Sequence, residues 1–130
     1  GCTFGGNPVA ATAALWALVR VLSDGFLTQV RAAAVRLAAG LEALAKKHKS
    51  VHEARGLGLL RAIDLAADAG FDAPALITAA RDQGLLLVRG GERALRLLPP
   101  LNVTNDEIDE ALAKLDAALA HLTSTTGGSK

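Results

Sequence analysis

The sequence predicts an α+β domain, a small mixed or antiparallel sheet covered by helices. Three observations point to it. Leu27, Val30, Ala34, Leu37, Leu41 and Leu44 recur at three- and four-residue steps, while Arg31, Arg36, Glu42, Lys46 and Lys47 fall off that stripe. This is the pattern of a helix with one packed and one wet face. The period then breaks: residues 51–65, VHEARGLGLLRAIDL, carry no helical stripe and hold Gly56 and Gly58 at their middle. Further on, the short apolar runs 85–88 and 94–98 are bracketed by glycines and by Pro99-Pro100, as strands are.

Each element has a local reason. Asn7 is a favoured N-cap, and Pro8 suits the first helical position, where its missing N–H would lack a partner anyway. From Val9 to Leu22 nearly every residue is apolar, Trp16 included, so this first helix is expected to be buried on most sides. Ser23-Asp24-Gly25 breaks it and offers the next cap. The second helix carries the stripe described above. Residues 51–65 read as two strands joined or kinked at Arg55-Gly56-Leu57-Gly58. Asp72 and Pro74 open a third helix, which Gly84 closes. Residues 85–88, Leu-Leu-Leu-Val, read as a buried strand. Residues 89–92 turn the chain, and residues 94–98 return as a second strand that the two prolines stop. Thr104-Asn105-Asp106-Glu107 has the spacing of a capping box, and Ile108, Leu112, Leu115 and Leu119 mark the core face of a last helix. Residues 123–130, TSTTGGSK, read as a disordered polar tail.

Half of the 130 residues are apolar, and the formal charge is +1 with acids and bases interspersed. A chain of this size can form one core, and nothing in its charge suggests a nucleic-acid or membrane partner. Residues 8–22 are too few and too rich in alanine to span a bilayer comfortably, and no basic segment precedes them as in a signal peptide. A lone cysteine, Cys2, forbids an internal disulfide and suits a reducing cytoplasm. With His48, His52 and His121 scattered in charged or helix-end settings, no metal site is expected; those histidines read as solvated surface. The opening Gly1-Cys2-Thr3-Phe4-Gly5-Gly6 does not taper, which gives the look of a piece of a longer polypeptide.

Three features could carry chemistry. In residues 3–8, Thr-Phe-Gly-Gly-Asn-Pro, backbone N–H groups of a glycine-rich loop ahead of a helix can converge on an anion, and the Thr3 hydroxyl adds a donor. The alternative is an ordinary loop before a helix cap. Arg96 lies in Leu95-Arg96-Leu97-Leu98-Pro99-Pro100, where alternation puts Leu95 and Leu97 on one face and Arg96 with Leu98 on the other. It either meets a carboxylate or lies along the sheet with its head in water. Arg55-Gly56-Leu57-Gly58 reads as structural, its glycines allowing a bulge or close backbone approach.

Taken together and in this order, Thr-Phe-Gly-Gly-Asn-Pro before an apolar helix, Arg-Gly-Leu-Gly-Leu, Leu-Arg-Leu-Leu-Pro-Pro-Leu-Asn-Val and a Thr-x-x-Glu-Ile helix resemble the class-III pyridoxal-phosphate aminotransferases. The resemblance runs from Gly1 to about Leu122. Within the family it leans to the acetylornithine-type enzymes, on the wording around residues 85–88 and 95–100.

That resemblance implies the C-terminal domain of an aspartate-aminotransferase-type (fold type I) enzyme. It implies that residues 1–22 link from a large domain, residues 23–122 form the small domain, and the active sites lie at the interface of a homodimer. Thr3 would bind the phosphate of pyridoxal phosphate, held mainly by the partner subunit, and Arg96 would bind the substrate carboxylate. Cys2 stands where the family often has a small residue such as serine. The lysine that carries the cofactor, the aspartate at its pyridine nitrogen and the aromatic wall belong to the large domain, and none has a counterpart here. The five lysines, 46, 47, 49, 114 and 130, lie on predicted helix surface or tail, so no catalytic residue is expected in this chain. The implied reaction of a complete cytoplasmic enzyme moves the terminal amino group of N-acetylornithine to 2-oxoglutarate. Succinylornithine, ornithine or 4-aminobutyrate are alternative donors. The competing reading is a non-catalytic α+β module that binds a small anion or another protein chain.

Overall fold

The computed structural model describes residue 3 and residues 5–127, in the order α1 Pro8–Val21, α2 Phe26–Lys47, β1 Val51–Leu57, β2 Leu60–Leu65, α3 Ala73–Asp82, β3 Val88–Arg89, β4 Ala94–Leu97 and α4 Asn105–Gly127. The four strands form one antiparallel sheet in the order β1-β2-β4-β3. Helices α2, α3 and α4 pack together with this sheet.

The core lies between them. Leu37, Leu41 and Leu44 of α2 meet Ile63 and Leu65 of β2, Leu76 and Ala80 of α3, Leu95 and Leu97 of β4, and Ile108, Leu115 and Leu119 of α4. Each fully buried aliphatic side chain contributes roughly 1.5–3 kcal/mol relative to exposure. The stripe on α2 is buried as its spacing predicts except at the start, where Phe26 turns inward and Leu27 stays 41% exposed.

Local signals set the boundaries. Asp72 accepts from Ala75 N–H at 2.9 Å and caps α3. Beyond its end, Leu85 N–H reaches Ala80 O and Gly84 N–H reaches Arg81 O, with Gly84 at φ +76°. This double bond pattern satisfies the last carbonyls and needs a residue that tolerates positive φ. Thr104 and Glu107 make the reciprocal capping box of α4: Thr104 N–H donates to the Glu107 carboxylate at 2.8 Å, and Glu107 N–H to Thr104 Oγ1 at 3.3 Å. Gly56 permits a close backbone approach, since a Cβ there would stand 2.2 Å from Leu60 O.

Four expectations need correction. First, α1 is not buried: none of its residues reaches the interior, and Trp16 is 72% exposed. Its apolarity is spread around the helix without a polar face, and its contact with the rest of the domain is confined largely to the start of α2, where Arg20 lies over the Phe26 ring. Second, residues 85–88 are not a buried strand. Leu85 is tied to the end of α3, Leu86 is exposed, and only Val88 and Arg89 pair with β4. Third, His48 is buried at the end of α2 because Nε2 meets Asp116 Oδ1 of α4 at 2.6 Å. Fourth, α4 continues through Gly127, with the hydroxyls of Ser124 and Thr125 both donating to His121 O. Residues 128–130 lie outside the described residues. Among the described residues no single helix is long and apolar enough to cross a membrane, and no cluster of His, Cys, Asp and Glu could hold a metal ion.

Candidate functional site

The helices cover one face of the sheet, and the other presents Arg96. β4 alternates as its sequence predicts: Leu95 and Leu97 are buried while Arg96 is exposed. Arg96 stands opposite Ala62 on one side and Val88 on the other. Ala62 in turn stands opposite Arg55. Paired residues share a face, so Arg55, Ala62, Arg96 and Val88 form one row across the sheet. Over this row lies a groove of about 210 Å³, bounded by Arg55 and Leu57 of β1, Leu60 and Ala62 of β2, and Gly90 and Arg96. Gly90 matters for its shape: a Cβ there would meet the Arg96 Cβ at 3.4 Å.

The groove is cationic. Arg61 also lines it, with Nε donating to Gly58 O at 2.8 Å and Nη1 to Gly56 O at 3.0 Å. Arg55 is held by Asp64, through Nε to Oδ2 and through Nη2 to Oδ1 at 3.1 Å. That hydrogen-bonded pairing raises the Arg55 pKa above its already high ordinary value, so the guanidinium is charged at any working pH. The Arg96 side chain has no hydrogen-bond or ion-pair partner among the described residues. A planar guanidinium that faces solvent between small and apolar neighbours suits a carboxylate, which it can hold through two parallel hydrogen bonds.

Thr3 sits exposed in a turn at the other candidate position, ahead of α1. Gly6 takes φ +80° there. The Asn7 side chain caps the helix, accepting from Val9 N–H at 3.0 Å and Ala10 N–H at 3.3 Å. The helix start thus already serves its own Asn7, and Thr3 adds an exposed hydroxyl in the turn. Cys2 and Phe4 lie outside the described residues. Thr3 does not line the Arg96 groove; the two candidate residues stand at separate places in this chain. Sequence reasoning missed the Arg55–Asp64 pair, because the hairpin register that joins them is not apparent from either residue's neighbours.

Residues 1–119 match the family model described as aminotransferase class-III. An acetylornithine aminotransferase of Caldanaerobacter subterraneus subsp. tengcongensis is 42% identical over 92% of this chain and 30% of its own length. The solved N-acetylornithine aminotransferase from Stenotrophomonas maltophilia superimposes with a TM-score of 0.86 at 34% identity, over 93% of this chain and 33% of that one. An ornithine aminotransferase from Toxoplasma gondii, described with partial occupancy of pyridoxal phosphate at its active site, gives a TM-score of 0.85 at 25% identity, over 98% and 30% of the two chains. The chain therefore spans about a third of the length of these relatives. Its α+β arrangement is the one found in fold type I aminotransferases, and the chain belongs to the class-III aminotransferase family.

Proposed function

We propose that this chain is the C-terminal part of a pyridoxal-phosphate-dependent aminotransferase that moves the terminal amino group of N-acetylornithine to 2-oxoglutarate. The observation that carries this reading is Arg96, whose exposed guanidinium has no partner among the described residues, in a cationic groove on the open face of the sheet. The similarity of more than nine-tenths of the chain to acetylornithine aminotransferases supports the choice of donor. In this reading Arg96 grips the α-carboxylate of glutamate and 2-oxoglutarate, and Thr3 donates its hydroxyl to the cofactor phosphate.

The residues present fit that cofactor in one respect, since an exposed hydroxyl in a glycine turn is a suitable phosphate donor. When bound, pyridoxal phosphate supplies the electron sink that lets the amino group move. The described lysines do not line the Arg96 groove; Lys47 pairs with Asp116, and Lys114 with Glu110. The lysine that holds the cofactor is accordingly assigned to a large domain of the same polypeptide. The chain alone is expected to give no transaminase turnover. The complete enzyme is read as a cytoplasmic homodimer of arginine biosynthesis.

A donor screen on the complete enzyme, with 2-oxoglutarate as acceptor, tests the reading; the resemblance to an ornithine aminotransferase makes ornithine the chief competitor. Succinylornithine and 4-aminobutyrate complete the panel. Arg96→Lys is expected to lower kcat/KM of the glutamate half-reaction by about 2–4 kcal/mol, because an ammonium cannot copy the fork. The acetylornithine half-reaction should lose less. Equal, small effects on both halves would return Arg96 to an arginine lying along the sheet.

A further inference from the structure

The row Arg55–Ala62–Arg96 sets two arginines on neighbours of the same strand, β2, which lies between them. Adjacent strands lie roughly 4.8 Å apart, so their Cα atoms stand about 10 Å apart with only the Ala62 methyl between them. Side chains as long as arginine can converge across such a gap on one small anion. The state of Arg55 bears on this. Asp64 engages its Nε and one hydrogen of Nη2. The second Nη2 hydrogen and one Nη1 hydrogen remain on the end of the fork, the edge used in end-on carboxylate recognition, and the other Nη1 hydrogen is also unengaged by Asp64. Asp64 thus restrains Arg55 without exhausting its donors, and the side-chain entropy that a flexible arginine would lose on binding is already spent. Among the described residues no carboxylate lines the groove. Arg61, by contrast, is committed to two backbone carbonyls of its own hairpin.

We propose that Arg55 is a second carboxylate-binding residue, positioned by Asp64, and that Arg55 and Arg96 close on the same substrate carboxylate over Ala62. This rests on the reading of Arg96 as a carboxylate ligand. Arg55 and Arg96 touch the substrate; Asp64 acts through Arg55. A longer side chain at position 62 would stand in the gap, which gives this alanine its place in the site.

The test is the half-reaction of the complete enzyme with 2-oxoglutarate, measured for R55Q, R55K, D64N and R96Q, with a urea midpoint for each. R55Q is expected to raise KM for 2-oxoglutarate about tenfold with kcat nearly unchanged, the size of one lost charge-assisted bond. R55K should recover part of the loss, and D64N should raise KM by about threefold because Arg55 remains but is no longer held. If R96Q raises KM while R55Q and D64N leave it at the wild-type value, the proposal is overturned and the reading of Arg96 stands. If no variant moves KM, the reading of Arg96 falls and takes the proposal with it. A loss of urea midpoint and kcat at unchanged KM assigns Arg55 a structural role and also overturns it. Should R55Q fail to fold, D64N alone decides between the same outcomes.

Discussion

α1 and α2 are consecutive helices, and the more apolar of the two is the one left uncovered. α1 runs PVAATAALWALVRV with Arg20 as its one charged residue, yet no residue in it is buried. α2 carries arginines, lysines and a glutamate along its length and buries Phe26, Ala33, Ala34, Leu37, Leu41 and Leu44. The difference lies in arrangement. A wet face on α2 defines where its interior face must be, and the sheet, α3 and α4 supply surfaces that match. α1 has no wet face, so its sequence announces that it is to be covered without naming a partner within this domain. Apolar content predicts burial in general, whereas periodicity predicts burial against the chain's own core.

The largest effects should come from breaking this contrast in the core. Leu41→Ala or Leu115→Ala, at side chains of 0% exposure, should cost about 2–5 kcal/mol in urea unfolding. Trp16→Ala in the same chain should stay within about 0.5 kcal/mol despite its larger side chain. A comparable loss for Trp16 would mean that α1 is part of the cooperative unit.

Glycines sharpen the comparison next. Gly56 has φ +130° and backbone atoms where a Cβ would sit. Gly6, ahead of α1, has φ +80° and open space. Gly56→Ala should destabilise by about 1–3 kcal/mol, and Gly6→Ala should leave the unfolding midpoint in place. Melting curves of the two variants give the answer directly.

Caps follow. Thr104→Ala removes the side-chain half of the α4 box and should cost about 1 kcal/mol of global stability. Asn7→Ala removes an equally good cap, but from a helix outside the core. It should lower helical circular dichroism without shifting the denaturation midpoint, and a shifted midpoint would again tie α1 to the body.

The smallest expected effect is a pH dependence confined to the body. Hydrogen bonds from Lys47 and then from His48 hold the Asp116 carboxyl below its ordinary pKa. A depressed carboxylate pKa contributes stability that is present above the ordinary value and lost as pH falls through the depressed one. Unfolding below the usual carboxylate range should therefore become less pH-dependent in Asp116→Asn. α1 contains no carboxylate, so its own helicity should not follow that titration.

What could be read from sequence was what neighbouring residues decide. Asp72 with Pro74, Gly84, the Thr104–Glu107 box and the alternation around Arg96 all act within a few positions, and each took its expected place. The misses depended on contacts that the immediate neighbours of a residue do not announce. His48 is buried by Asp116 on another helix, and Arg55 meets Asp64 only once the hairpin is in register. Residues 85–88 looked like a strand by content, but the backbone bond from Leu85 to Ala80 keeps the chain at the end of α3 until Val88. Of the candidate site, the face on which Arg96 stands was legible and its arginine neighbour was not, since that neighbour depends on strand order.

The order β1-β2-β4-β3 has a consequence for how the domain assembles. β1 and β2 are joined through Gly58 and Leu59, and β3 and β4 through four residues, so both hairpins close small loops. The pairing of β2 with β4 alone unites them, aligning Arg61 with Leu97 and Asp64 with Ala94 across the whole of α3. Closing that long loop carries most of the chain-entropy cost of the sheet, and it gains little until the core leucines of α2 and α4 are in reach. The row that carries Arg55 and Arg96 exists only where β2 and β4 are paired, so the groove belongs to the union of the two hairpins and not to either alone.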